Sequence, residues 1–275
     1  MSRVGFEAAR HATQTASRLS WPTFFQAGGR PQVAAPPVQM KAERMPPWDP
    51  RADSDSSGRL DAVRAIPRLP WTEITVSPQE QASWRQLIFP PAGDPIFDGY
   101  LAQAVLNLDP NDAAYLSGRR RQTLRTNLRH AQARGIKAIR LPSYVDWFPV
   151  AQEMLTLREW GQNSLDRMSA PGPTQDMGYF AAVDRGDRIV GETAVAIFGG
   201  TAVLFSALSR QGHPGSAESR YLLHTFMRSE LRAQGIRTIV AGSVLRTRPG
   251  TRYFQHLVGY DVRNLAFTVA GGDRG

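Results

Sequence analysis

Among the residues able to do acid–base chemistry, Glu192 is singled out by its surroundings. It lies in the run Ile189-Val-Gly-Glu-Thr-Ala-Val-Ala-Ile-Phe198, where strand alternation places it on one face with Val190, Ala194, Ala196 and Phe198. A carboxylate among apolar neighbours loses hydration, which raises its pKa toward the range of a working general base. The competing reading is a solvent-facing glutamate beside a turn. A second group of candidates is Arg210-Gln-Gly-His-Pro-Gly-Ser-Ala-Glu-Ser219 and the following Arg220. Gly212 and Gly215 let the chain turn ahead of a helix read from Arg220 to Gln234. Free N–H groups at a helix start, with Arg210, Gln211, Ser216, Ser219 and Arg220 around them, make a cradle for phosphate. Pro214 has no N–H to give and Glu218 brings a like charge, so a solvated loop stays open as the alternative.

A third group is basic. Of the net charge of +9, +6 falls between residues 109 and 141. Within it Arg121, Arg125 and Arg129 recur every fourth residue beside the apolar stripe Leu124, Leu128 and Ala131, as one cationic face of a helix read over Asp112–Arg134. Three readings fit: a solvated face, contacts from Arg121 and Arg125 to an anionic substrate, or a track for RNA phosphates. All but two of the 33 basic residues are arginine, a skew that GC-rich codons produce without any selected partner, so the overall charge says little about function.

Other chemistries are excluded or unsupported. There is no cysteine, hence no disulfide, thiolate nucleophile or cysteine zinc site. His224 has no second ligand at metal spacing and reads as a packing residue; no metal is expected. Ser206 and Ser209 belong to no Gly-x-Ser-x-Gly elbow, so hydrolase chemistry is unsupported. The longest apolar run, Ala194 to Phe198, is far below the roughly 20 residues that cross a bilayer, and the first residues lack a secretory core, so a cytoplasmic protein without membrane insertion is expected.

The elements that must position these residues follow from periodicity and punctuation. A 275-residue chain with 41% hydrophobic and 21% charged residues has the composition of a soluble globular protein. Thirteen of its 20 prolines precede residue 96. Residues 1–60 read as an irregular or disordered extension, with one short helix from Phe6 to Leu19 and with Trp21, Phe24 and Phe25 able to dock on the main body. Residues 61–108 read as a lead-in that packs on the domain edge and ends in a strand at Ala104 to Leu108. Residues 109–275 read as one α/β domain. Its order is the basic helix, a strand (Ile136–Leu141), a helix (Ser143–Trp160), a loop (Gly161–Gly178), a three-stranded antiparallel meander (Tyr179–Val183, Ile189–Phe198, Ala202–Leu208), the helix from Arg220, a strand (Ile236–Ala241), a short helix (Thr251–Val258) and a last strand (Tyr260–Ala270).

Three stretches carry a resemblance to a known family. They are Leu116-Ser-Gly-Arg-Arg-Arg-Gln-Thr-Leu-Arg-Thr-Asn-Leu-Arg-His-Ala-Gln-Ala-Arg-Gly135, Arg220-Tyr-Leu-Leu-His224 with Ala233-Gln-Gly235, and Gly250-Thr-Arg-Tyr-Phe254 with Gly259-Tyr260. Over about residues 109–270 they resemble the GCN5-related N-acetyltransferase (GNAT) superfamily, in its BioF2-like or FemAB-like branch. The resemblance implies a mixed, mostly antiparallel central sheet flanked by helices. It implies acyl transfer from acyl-coenzyme A, acetyl or longer, to an amine, on a small molecule or a peptide. The cofactor cradle would be the loop from Arg210 to Arg220, in a cleft where Ala202–Leu208 and Ile236–Ala241 splay, with Glu192 as base. Gln255 stands where many members carry an acidic tyrosine, and Tyr253 is two residues off. A FemAB-like aminoacyl transfer from tRNA, or a catalytically silent scaffold, remain as alternatives; the FemAB members carry two such units, and residues 61–108 are too short for another.

Overall fold

Alternating and β-branched runs, the meander among them punctuated by an aspartate turn and a glycine turn, form eight strands, numbered here β1 to β8. They are Trp71–Val76, Gln103–Asn107, Lys137–Leu141, Asp176–Val183, Ile189–Phe198, Thr201–Ser209, Thr238–Ser243 and Asp261–Val269. The helices α1 to α6 are Gln81–Ile88, Asp112–Leu116, Gln122–Ala133, Tyr144–Thr156, Ser216–Ala233 and Pro249–Val258. The computed structural model describes residues 66–88, 101–108, 112–156, 176–244 and 247–270. The expectations for residues 1–60, for the end of the Ser143–Trp160 helix and for most of the Gly161–Gly178 loop lie outside the described residues.

One sheet results, in the order β1-β8-β2-β7-β6-β5-β4-β3. Strands β3 to β6 are antiparallel, β7 and β8 are each antiparallel to β2, and the parallel pairs are β6 with β7 and β1 with β8. The fold is therefore the mixed, mostly antiparallel sheet with flanking helices that the element order implies. From the lead-in segment, β1 forms one sheet edge, while β2 lies inside the sheet between β8 and β7.

Helices cover both faces. Under α3, α5 and α6 the core contains Leu124, Ala131, Leu223, Met227, Leu231 and Val258, packed on Phe180, Val195, Ala202 and Ile239. On the other face Trp84 of α1 packs with Phe198, Val203 and Val240, and Trp147 of α4 with Tyr179, Ala194 and Leu208. Full burial of each large side chain contributes roughly 1.5–3 kcal/mol before entropy is counted. Asn264, fully buried, accepts from the Ala102 N–H (3.1 Å) and donates to the Ile66 carbonyl (2.8 Å), tying the lead-in to β8.

Two helices depart from the sequence reading. The expected helix from Asp112 to Arg134 is broken. Ser117 Oγ donates back to the Ala114 carbonyl (2.8 Å), Gly118 takes φ +78°, and a 3-10 turn at Arg119–Arg121 restarts the chain as α3. With ψ at 168° Gly118 occupies an extended positive-φ region essentially restricted to glycine, through which no helix continues. Helix α5 starts at Ser216, four residues before the expected Arg220, because nothing after Gly215 opposes helix and Glu218 in the first turn favours it.

Between α5, α6 and β8 lies a buried polar knot. His224 Nε2 meets the Tyr260 hydroxyl at 3.1 Å, the Tyr115 hydroxyl donates to the Val258 carbonyl (2.9 Å), and the Arg228 guanidinium stacks 3.9 Å over the Tyr115 ring. Burial, reinforced by the charges of Arg228 and Arg121, pushes the His224 pKa down to about 3, so the native imidazole is neutral. In the unfolded chain the same group takes up a proton near pH 6.5, so its contribution is complete above that pH. It is lost as pH falls from about 6.5 toward 3. His224→Gln is expected to flatten the decline of the thermal midpoint between pH 6.5 and 4 relative to the parent chain; parallel declines would exclude His224 as a source. At the end of α6, Gly259 has φ +100° and the Arg121 guanidinium lies where a β-carbon would project. Gly259→Ala is expected to lower stability by more than the roughly 1–2 kcal/mol of the left-handed backbone alone, read from urea unfolding.

Candidate functional site

The sheet opens at one place. Strands β6 and β7 run parallel but pair only at Thr201–Thr238, Ala202–Ile239 and Val203–Val240. Beyond Val203 the two strands have no further pairs, although each continues, β6 to Ser209 and β7 to Ser243. Pairing of β6 with β5 shifts between Ala194 and Val195, which leaves Phe205 as an extra residue at the start of the gap. Burial changes there: Thr201 to Val203 are buried, Leu204 and Phe205 are half-buried and Ala207 is exposed, and on β7 Ala241 to Ser243 are half-buried. Beyond the third pair the two strands therefore part, and on the side that faces the other neither has a ladder partner there, while Ser206, Leu208 and Ser209 stay buried.

Helix α5 begins beside the end of β6, and its mouth differs from the cradle expected for Arg210–Arg220. The Gly215 N–H donates to His213 Nδ1 (3.0 Å) and the Ser216 N–H to the His213 carbonyl (3.0 Å), so two amides of the opening turn are already engaged. Ser219 is fully buried and its hydroxyl donates to the Ser216 carbonyl (2.9 Å). Arg210 bridges inward, from Nε to the Ile189 carbonyl (2.9 Å) and from Nη2 to Glu153 of α4 (2.8 Å). Gln211 and Gly212 are exposed in a turn, Gly212 at φ +75°. Arg220 is exposed and its guanidinium lies 5.6 Å from the Phe254 ring centre. Of the expected cradle, Ser219 and Arg210 thus hold the fold together, and Arg220 remains exposed. Beside the same mouth is a cavity of about 310 Å³ walled by Arg134, Arg185, Arg188 and His213.

Glu192 is completely buried, in the middle of β5, under α4. Its carboxylate accepts from Trp147 Nε1–H (2.5 Å) and from the Ser206 hydroxyl (2.6 Å). Cross-strand partners explain the second bond, since Glu192 faces Leu208 and Ala194 faces Ser206, so Ser206 is the diagonal neighbour. Ala194 packs on the same side of the sheet. Val190, expected there too, packs instead under α3 and α5, because β5 bulges between Ile189 and Gly191. Ser206 is buried as well, and in the chain it follows the half-buried Phe205 at which the pairing of β5 with β6 shifts. Sequence reading missed both partners. A tryptophan in the apolar stripe of α4 was the available signal, because a buried indole N–H needs an acceptor.

The basic helix is used differently from the expectation. Arg121 Nη1 donates to the Leu257 carbonyl (2.7 Å) at the end of α6, and Arg125 Nη1 to the carbonyls of Leu116 (2.6 Å) and Gly118 (2.9 Å). In each of these two side chains Nη1 is given to backbone carbonyls, one capping α6 and one clamping the break after α2. Arg119, Arg120 and Arg129 are exposed or nearly so. Among the described residues no group of three or more acidic, histidine or cysteine side chains is placed to hold a metal. No described helix is long and apolar enough to cross a membrane.

No family model and no curated protein matches this sequence. Among solved structures the chain is similar to L-PGS from Bacillus licheniformis, at 13% identity and TM-score 0.42 over 59% of this chain and 57% of that one. It is also similar to FemX, at 12% identity and TM-score 0.48 over 59% of each chain. A tandem GNAT protein from the clavulanic acid biosynthesis pathway is similar at 15% identity and TM-score 0.39, over 59% of this chain and 50% of that one. The chain spans less than two thirds of the length of each, and at these values none of them carries an activity across.

The Trp147–Glu192–Ser206 arrangement makes a stability prediction. Removing one donor leaves a buried carboxylate undersatisfied, at a cost of about 1–3 kcal/mol. Ser206→Ala and Trp147→Phe are each expected to destabilise, and the double variant is expected to deviate from their sum by at least ~0.5 kcal/mol in urea unfolding. Strict additivity would show that the two donors do not share one acceptor.

Proposed function

We propose that this chain is an acyltransferase of GNAT-like fold that moves an acyl group from acyl-coenzyme A to an amine. The observation that supports this reading is the parting of β6 and β7 after three residue pairs, next to the start of α5. An extended, amide-rich donor arm can lie in such a gap as a guest strand, hydrogen-bonding to backbone that the sheet leaves unpaired. Its thioester would then come to rest near Phe205 and Ser206, where Glu192 lies within one hydrogen bond.

In the reaction the amine nitrogen attacks the thioester carbonyl, the carbon–nitrogen bond forms and the carbon–sulfur bond breaks. The proton lost by the nitrogen passes to Ser206 Oγ as that hydroxyl gives its own to Glu192. Trp147 holds the carboxylate oriented toward Ser206. The departing thiolate takes its proton from water, because Gln255 cannot act as an acid and is buried. Arg220 is exposed beside the start of α5 and is a candidate partner for the phosphates of the donor. The RNA-tracking alternative has part of Arg121 and Arg125 already engaged with backbone carbonyls.

Calorimetric titration with acetyl-coenzyme A and longer acyl homologues is expected to give saturable binding. Glu192→Gln is expected to lower turnover by about 10²–10⁴-fold with little change in donor affinity, the loss typical of a general base. Absence of binding for every donor, or unchanged turnover in Glu192→Gln, would contradict the proposal.

A further inference from the structure

Trp147, whose indole holds Glu192, is the centre of a cluster of rings drawn from three elements. Tyr179 of β4 stacks on it with 5.3 Å between ring centres, and Tyr144 and Phe148 of α4 and Phe205 of β6 lie 5.8, 6.5 and 6.1 Å away. Tyr144 in turn stacks on Phe148 at 5.2 Å and meets Tyr179 edge-on at 6.3 Å. Trp147 is fully buried, whereas Tyr144, Phe148 and Phe205 are half-buried, so the cluster has a rim that solvent reaches.

Packing alone does not account for two of these rings. Tyr179 is only 6% exposed, and among the described residues neither its hydroxyl nor that of Tyr144 has a hydrogen-bond partner. A buried phenol ordinarily finds one, as Tyr115 and Tyr260 do here. Burial pushes the Tyr144 hydroxyl above its usual pKa, and burial together with the nearness of Tyr144 pushes Tyr179 up to about 12. Both phenols are therefore neutral at pH 7, and each offers lone pairs as well as an O–H.

The charge around the rim has one sign. Helix α4 and strands β4, β5 and β6 together carry no lysine, arginine or histidine, in a chain of net charge +9. Their acidic residues are Asp146, Glu153, Asp176 and Glu192. Glu153 is paired with Arg210, and Asp146 takes a hydrogen bond from the neutral Ser143 hydroxyl (2.6 Å). An anion would meet no cation from these four elements, and a wholly apolar ligand would leave both phenol oxygens unpaired. A cation bearing N–H groups suits both features, because ring faces attract its charge and phenol oxygens accept its N–H bonds.

We infer that the ring cluster under the start of α4 binds an organic ammonium ion carried on an uncharged, apolar body, and that a carboxylate next to the nitrogen is rejected. The site stands on these rings and charges; only the identification of the ion with the amine acceptor rests on the acyl-transfer reading. Before acting as acceptor the ion gives one proton to solvent, which the half-buried rim admits.

The test uses the full chain without any thioester, and benzylamine, a cation at neutral pH, beside benzyl alcohol and benzoate. Calorimetric titration is expected to show saturable binding of benzylamine, at least tenfold weaker binding of benzyl alcohol and none of benzoate. In proton–nitrogen spectra the assigned indole N–H of Trp147 is expected to shift with benzylamine, and that of Trp84 to stay in place. Tyr144→Phe/Tyr179→Phe is expected to weaken benzylamine at least tenfold while the urea midpoint is unchanged or raised, since these hydroxyls have no protein partner to lose. Tyr253→Phe, on the exposed side of α6, is expected to change binding less than twofold. Failure of benzylamine to bind, equal affinity for the alcohol, binding of benzoate, or a double variant that loses stability but not affinity would overturn the inference. So would shifts that miss the Trp147 indole, a result that does not depend on any variant folding. With acetyl-coenzyme A added, benzylamine is expected to be acetylated and phenylglycine, the same amine bearing a carboxylate, is not. Equal turnover of the two would keep the acyl-transfer reading and overturn the site, whereas benzylamine binding without affinity for any acyl-coenzyme A would keep the site and remove the acyl-transfer reading.

Discussion

The acyl-transfer reading of this chain depends on three backbone pairings and on the absence of a fourth. Parallel neighbours β6 and β7 are joined only at Thr201–Val203 and Thr238–Val240, so each strand runs on without a ladder partner on the side that faces the other. Buried backbone in that state is costly, and solvent access at Ala207 is what makes it tolerable. The sheet can hold this shape because its other seams are long. β5 is bound along its length to both β4 and β6, and β2 is clamped between β7 and β8. Trp84 and Phe198 on one face and the side chains of α5 on the other fill the joint where the strands are still together.

Against this frame a fully buried glutamate is an expensive feature. An ionised carboxylate without partners in a core would be far too costly to keep, and Glu192 persists because an indole and a hydroxyl both point donors at it. The partners come from α4 and β6, so the carboxylate also ties the helix to the strand that lines the gap. A structural pin would serve equally well with an apolar residue in its place, which is why its position next to the gap, reached through Ser206, gives it a chemical reading as well.

The architecture was legible where a local rule decided it. The meander from β4 to β6 follows from alternation and from Gly199-Gly200, where Gly199 takes φ +50°, and the ends of α3, α5 and α6 follow from Gly135, Gly235 and Gly259. Boundaries failed where weak local signals met tertiary contacts. The break at Gly118 has no proline to mark it and is held by Arg125, and the early start of α5 depends on bonds made by His213. Burial of Glu192 could be read from its neighbours, but its partners could not, since Trp147 is 45 residues away. The bulge that turns Val190 to the opposite face is also invisible to strict alternation. Least legible were the arginines. A fourfold spacing shows a cationic stripe and says nothing about carbonyls on distant elements, such as Leu257, which Arg121 caps across 136 residues.

Hydrogen–deuterium exchange with and without an acyl-coenzyme A tests the open wedge directly. In the free protein the amides of residues 204–207 and 241–243 that face the gap should exchange far faster than those of 201–203 and 238–240, and a saturating donor should protect them. Slow exchange across the gap in the free protein, or no added protection at any donor concentration, would mean that the two strands do not offer backbone to a guest.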